Sequence, residues 1–180
     1  MGRRINSISP EMPQNQSQEV AQQVSSSNQL YKTENSFDVF QLASSLQNVE
    51  LQIIPLDDNL SGYIEKIDNK YIIAINNKHS SLRQRFTLAH ELGHYYLHQE
   101  KLADRHTDVK LFRDANEDRL GLEYAANDFA AELLMPAETF KSAIKSGQNT
   151  PKTLSTLFQV TEKAVLYRAY KLGIIKSFLP

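Results

Sequence analysis

His90-Glu91-Leu92-Gly93-His94 places two histidines four residues apart, with a glutamate directly after the first. On an α-helix, residues i and i+4 project from one face, so the two imidazoles can share a metal ion at about 2.0–2.1 Å each. Glu91 sits beside them, placed to take a proton from water activated at the ion. A pattern this short recurs by chance, so its surroundings decide its weight. Leu82, Phe86, Ala89, Leu92 or Gly93, and Tyr96 or Leu97 repeat at helical spacing through it. Ser81 and Gln84 form an S-x-x-Q capping box. Together these predict a helix from about residue 82 to about 98.

Two histidines hold zinc weakly; a catalytic site ordinarily has three protein ligands and one position open to water. His98 lies four residues beyond His94 but two turns from His90, about 12 Å along the axis, too far to reach the same ion. It reads as a surface residue or one that supports a ligand. The metzincin class requires Gly three and His six residues after the second histidine, where this chain has Leu97 and Glu100. The third ligand is therefore expected on another helix.

That helix runs from about residue 117 to 135, with Leu120, Tyr124, Asn127, Ala131 and Leu134 near one face. Glu123 is the ligand expected from it. Asn127, one turn on, is placed to hydrogen-bond a ligand histidine. Glu117 falls at the frayed start of the helix and Glu132 on a different face, which makes both poorer choices. Asp128 reads either as a support for the site or as an exposed acid. The expected set is thus His90, His94 and Glu123 as metal ligands and Glu91 as the base, with zinc as cofactor, although Mn2+ also suits these donors. Tyr95, Tyr96, Tyr124, His79 and His106 are the candidate donors to a developing oxyanion.

Composition narrows the other classes. The chain has 180 residues, 20 basic against 21 acidic, and no cysteine. That length suits one domain with an appendage. Near-neutral charge gives no global footprint of a nucleic-acid or membrane binder. Lack of cysteine excludes disulfides, cysteine-ligated zinc and thiol nucleophiles. No secretion signal, myristoylation pattern or membrane-spanning run is visible, so a cytoplasmic location is expected.

Residues 1–28, rich in Gln, Ser, Asn and Pro, read as a disordered tail. Residues 29–147 read as the metal-binding domain, beginning with a short helix capped by Ser36. Strand-like runs follow at 49–56, 62–67 and 71–75, the last two forming a hairpin around Asp68-Asn69-Lys70. Val109 to Phe112 reads as an edge strand. Pro136 ends the second long helix, Ala137 to Lys145 forms a short one closed by Gly147, and Thr150 and Thr161 cap two more. The expected fold is α+β: a small three-stranded antiparallel sheet packed against the two long helices, with a helical extension over 148–180. A cleft is expected between the edge strand and the metal helix, where an extended substrate adds to the sheet.

The extension resembles a helix-turn-helix, and from residue 151 onward Lys152, Lys163, Arg168, Lys171 and Lys176 face only Glu162, a local charge of +4. DNA contact is one reading of this segment. Completing the fold or docking a substrate protein is the favoured one, because five basic residues in a terminal segment are common; Glu162, at the start of the last helix, would be repelled by phosphate unless it read cytosine.

Arg83-Gln84-Arg85-Phe86-Thr87-Leu88-Ala89 leading into the HELGH run, followed by Glu123 and then Asn127-Asp128-Phe129-Ala130-Ala131-Glu132-Leu133-Leu134-Met135-Pro136, resembles the ImmA/IrrE family of metallopeptidases over roughly residues 30 to 175. The resemblance implies a zincin-like core and a zinc-dependent, gluzincin-like peptidase, with His90, His94 and Glu123 as ligands and Glu91 as base. It also implies a partner: a helix-turn-helix repressor, cleaved to derepress phage, mobile-element or stress genes. Gluzincins often carry Asp four residues beyond the ligand glutamate, where this chain carries Asn127. The alternative is a non-catalytic anti-repressor, binding a repressor or DNA, whose metal is structural.

Overall fold

The computed structural model describes residues 14–33, 35–102, 106–109 and 117–177. In chain order the elements are α1 (Gln14–Asn28), β1 (Tyr31–Thr33), β2 (Ser36–Phe37), α2 (Val39–Ser45), β3 (Val49–Ile54), β4 (Leu60–Ile67), β5 (Lys70–Asn76), α3 (Ser81–Leu97), a 3-10 turn (Gln99–Lys101), β6 (His106–Val109), α4 (Glu117–Leu134), α5 (Ala137–Lys145), α6 (Pro151–Phe158) and α7 (Glu162–Lys171). This is an α+β fold with one shared core.

The sheet is mixed, which corrects the expected antiparallel three-stranded arrangement. Its order is β3-β5-β4-β6. β4 and β5 form the expected antiparallel hairpin, but β3 lies parallel to β5, from Val49↔Tyr71 to Ile54↔Asn76. The reason lies in β5, where Tyr71, Ile73, Ala74, Ile75 and Asn76 are all buried. A strand apolar on both faces takes a central position with a neighbour on each edge. The link from β3 to β4 is held by the buried Asn76 amide, whose Nδ2 donates to the carbonyls of Asp57 (3.1 Å) and Leu60 (2.8 Å). β6 pairs antiparallel with β4 and begins at His106, so the edge strand expected from Val109 starts earlier, and residues 110–112 lie outside the described residues.

α3 lies on this sheet. Its start is one residue earlier than expected: the hydroxyl of Ser80, not Ser81, accepts from the Arg83 N–H. Gln84 instead donates to the carbonyl of His79 at 2.7 Å. Residues 87–95 are buried without a polar face, because α3 is covered by β4 and β5 on one side and by α4, α1 and α2 elsewhere. Gly62 on β4 makes the close approach to the sheet possible; a Cβ there would stand 2.7 Å from Thr87 Cγ2 and 2.8 Å from the carbonyl oxygen of Ala74.

Two further expectations are corrected. The tail expected to be disordered through residue 28 is helical from Gln14, with Ser17, Ala21 and Val24 buried where α1 packs on α4. Small side chains at i, i+4 and i+7 suffice to fill a shallow interhelical groove, and a composition argument that counts large apolar residues misses them. The cap of α2 is Asp38, whose carboxylate accepts from the Gln41 N–H at 3.2 Å; Ser36 is buried in β2.

The later boundaries fall where the local signals place them. Gly147 at φ +93° closes α5, Thr150 caps α6 with Pro151 at its first position, and Thr161 caps α7. α7 is fastened to α4: Arg168 pairs with Glu132 and donates to the Met135 carbonyl at 2.9 Å, while Tyr167 and Lys171 both reach Asp128. No helix among the described residues is long and apolar enough to cross a membrane.

Candidate metal centre

One turn of α3 separates His90 from His94, and both rings point toward α4, where Glu123 stands on the first turns of its helix. His90 Nε2 lies 3.2 Å from Glu123 Oε2, and His94 Nε2 lies 3.4 Å from Glu123 Oε1. The two Nε2 atoms are 3.1 Å apart. The histidines are buried and Glu123 is one-fifth exposed at its side chain, so the cluster has a solvent side.

These distances test whether a metal fits. Ligand atoms held tetrahedrally at about 2.0–2.2 Å from one centre stand roughly 3.3–3.6 Å from each other. The Nε2–Nε2 separation of 3.1 Å approaches that spacing, and each Nε2 has its own Glu123 oxygen at 3.2 or 3.4 Å, so the carboxylate faces both imidazoles. The proton positions point the same way. His90 Nδ1 is 3.1 Å from Asn127 Oδ1, an acceptor, so the neutral ring carries its proton there and its Nε2 lone pair faces the cluster. Lone pairs and a carboxylate converging at these distances repel one another unless a cation lies among them. Among the described residues, His90, His94 and Glu123 form the group of histidines and acids able to hold a metal ion.

Glu91 follows His90 directly and is fully buried. His98 is also buried, with Nδ1 3.0 Å from Nδ1 of His94, so it is an inner residue against His94 rather than a surface one. Asp128 and Glu132 are not at the cluster: both are buried in the contact with α7, and Glu132 Oε1 also accepts from Gln22 of α1 at 2.9 Å. Glu117 starts α4; its side chain lies outside the described residues.

The candidate oxyanion donors separate by environment. Tyr95 donates to Asn48 at 2.9 Å and packs edge-on against Tyr71, a structural placement. Tyr96 stacks on Phe129, and burial, reinforced by Tyr95, pushes its phenol up to about 12. Tyr124 follows Glu123 and is 59% exposed, on the open side. His79 immediately precedes the α3 cap, and His106 begins β6, with its side chain outside the described residues.

A profile described as the IrrE N-terminal-like domain, a peptidase family, matches residues 46–170, which span every residue of the cluster. The chain belongs to this family. Within the IrrE N-terminal-like family, it is 30% identical over 140 residues to the radiation response metalloprotease IrrE of Deinococcus deserti, covering 76% of this chain and 47% of that protein. It is 29% identical over 110 residues to the metallopeptidase ImmA of Bacillus subtilis, 61% of each. The chain thus spans about half to three-fifths of the length of these relatives. A Mycobacterium tuberculosis transcriptional regulator shares the fold at a TM-score of 0.64 and 16% identity, over 87% of this chain and 46% of that one.

The two long helices pack on each other as their apolar faces predict, and at one point their backbones come unusually close. Gly93 lies opposite Ala126, with so little space that a Cβ on the glycine would meet the Ala126 backbone at 3.0 Å. A glycine inside the motif and a run of alanines in α4 were the available signals.

Proposed function

We propose that this chain is a zinc-dependent endopeptidase of the gluzincin kind, and that its substrate is a helix-turn-helix transcriptional repressor. The observation that carries the first part is the convergence of His90, His94 and Glu123 across two helices, at separations that suit one ion. Two relatives bearing metalloprotease and metallopeptidase names support it. The repressor substrate rests on the family resemblance of the RFTLAHELGH and FAAELLMP runs.

A divalent ion held by these three side chains supplies Lewis acidity, polarising a peptide carbonyl and lowering the pKa of water toward about 7. The remaining steps belong to the chain. Glu91, itself fully buried, accepts the proton of the attacking water and returns it to the leaving amine. Asn127 keeps the His90 ring in the orientation that turns Nε2 inward. β6, at the sheet edge beside β4, offers main-chain groups to an extended substrate segment.

The competing reading, a binding module with a structural metal, draws on the C-terminal helices. Of their five basic residues, Arg168 and Lys171 are engaged by Glu132 and Asp128. The outer face of α7 instead exposes Leu166 and Tyr170, with Ile174 exposed just beyond its end, which suits protein contact better than phosphate.

The test is to incubate the zinc-loaded chain with a helix-turn-helix repressor encoded beside it and sequence the fragments. Glu91→Gln should retain zinc and lower cleavage by about 10²–10⁴-fold. Cleavage unchanged in Glu91→Gln would overturn the assigned base; regulation preserved without any cleavage would favour the binding module.

A further inference from the structure

We infer that His98 is a positioning residue of the metal centre: its Nδ1 accepts the Nδ1 proton of His94 and so commits His94 to present Nε2 to the ion. The inference rests on the metal-centre reading above and adds an orienting partner to it.

His94 Nδ1 and His98 Nδ1 are 3.0 Å apart, and the two residues are 1% and 3% exposed. Two ring nitrogens that close in a buried setting, with no metal ion between them, share a single proton: two lone pairs repel, and two N–H groups collide. His94 Nε2 faces His90 Nε2 at 3.1 Å and Glu123 Oε1 at 3.4 Å, the positions of fellow ligands. A ligating nitrogen carries no proton, and a neutral imidazole has only one. The His94 proton is therefore on Nδ1. His98 is then the acceptor, with its own proton on Nε2.

The backbone makes this contact possible. His98 is the C-cap of α3, at φ −131° and ψ 21°, outside helical geometry, and its N–H donates to the His94 carbonyl at 2.9 Å. The two residues are thus tied by main chain and by side chain. The ring planes are tilted by 49° with centroids 5.2 Å apart, so nitrogen-to-nitrogen contact rather than stacking brings them together. The site then has two orienting partners from different elements: Asn127 of α4 for His90, and His98 of α3 for His94. Such partners fix the tautomer and raise ligand basicity, and their loss typically weakens metal binding by about 10–100-fold.

Two substitutions separate positioning from packing. Asn places Oδ1 as many bonds from Cβ as the Nδ1 of histidine, so His98→Asn keeps an acceptor; His98→Leu keeps bulk and removes it. Affinity for Zn2+ and Co2+ is measured by chelator competition on the full chain. His98→Leu should bind about 10–100-fold more weakly, with His98→Asn within a few-fold of the unaltered protein. A second readout uses the unaltered protein, so it survives a leucine variant that fails to fold. Imidazole ¹⁵N NMR of the zinc-loaded chain should place the His94 proton on Nδ1 and the His98 proton on Nε2. Equal affinities for Leu and Asn, or a His98 proton on Nδ1, would overturn the inference alone. An unaltered protein that binds neither ion would overturn the metal-centre reading, and this inference with it.

Discussion

A Cβ added to Gly93 would stand 3.0 Å from both the Cα and the carbonyl oxygen of Ala126 and 3.3 Å from its Cβ. Gly93 lies between His90 and His94 on α3, and Ala126 follows Glu123 by three residues on α4. The absence of a side chain at one position therefore sets how closely Glu123 approaches both imidazoles. Glycine in a helix interior is otherwise unfavourable by about 1 kcal/mol relative to alanine. Its presence here follows from packing.

Gly93→Ala should therefore disturb the site more than the fold. Overpacking costs about 1–3 kcal/mol, and the helix-propensity gain of about 1 kcal/mol offsets part of it. Denaturant unfolding should show a net loss of about 0–2 kcal/mol. Zinc affinity should fall by about tenfold or more, as expected when a ligand loses its orientation. Unaltered zinc affinity would show that the helix separation does not govern the site.

Glu123→Ala removes one of the three proposed ligands while leaving a partly exposed helix position that tolerates alanine. Zinc binding should weaken by more than the roughly 10–100-fold attached to an orienting partner. Thermal stability of the metal-free protein should stay level or rise, because the carboxylate no longer crowds the inward-facing lone pair of His90. Chelator competition together with melting curves with and without zinc checks both halves.

Arg168 and Glu132 are 1% and 2% exposed at their side chains and pair with each other. Arg168→Met strands the carboxylate in the core and should destabilise the protein by about 3–5 kcal/mol. The double variant Arg168→Met, Glu132→Gln should recover much of that loss, since the amide needs no countercharge and can still bond Gln22. A double variant as unstable as the single one would mean that the arginine acts through packing rather than charge.

Tyr96 gives the protein an alkaline liability. Its phenol is raised from 10 to about 12, first by burial and then by Tyr95. The raised value means that the folded state retains the proton after the unfolded chain has lost it. Stability from this group is complete below pH 10 and declines as pH rises from 10 through about 12. Burial and the carboxylate of Asp128 raise Tyr167 in the same direction. Unfolding curves collected from pH 9 upward should fall with pH, and Tyr96→Phe should flatten that decline. An unchanged slope in the variant would remove Tyr96 as a source.

Much of this architecture is encoded locally. The caps at Thr150 and Thr161, the stop at Gly147 and the β4–β5 hairpin depend on bonds between residues a few positions apart. The one-turn spacing of His90 and His94 is equally local, since helical geometry alone puts both rings on one face. Local reading was less accurate where two signals compete within a residue or two. Ser80 and Ser81 both suit a cap, and Ser36 competes with Asp38; burial of Ser36 in β2 and the reach of the Asp38 carboxylate decided the second case.

Three features depend on contacts remote in sequence. Parallel pairing of β3 with β5 joins strands that a hairpin already separates, and only burial of both faces of β5 selects it. The helix at 14–28 takes its order from α4, more than a hundred positions away at the Gln22–Glu132 bond. The same packing decides the fate of acids that sequence leaves equivalent: Glu132 and Asp128 are drawn to α7, while Glu123 meets the histidines. The sequence by itself determined the helix that carries His90 and His94 on one face and the identity of most helix ends, because those follow from hydrogen bonds and periodicity within a turn or two. Tertiary structure alone decided the sheet order, the ordering of α1 and which acid meets the two histidines. Each of these is set by which surfaces exclude water together, a quantity that no single segment carries.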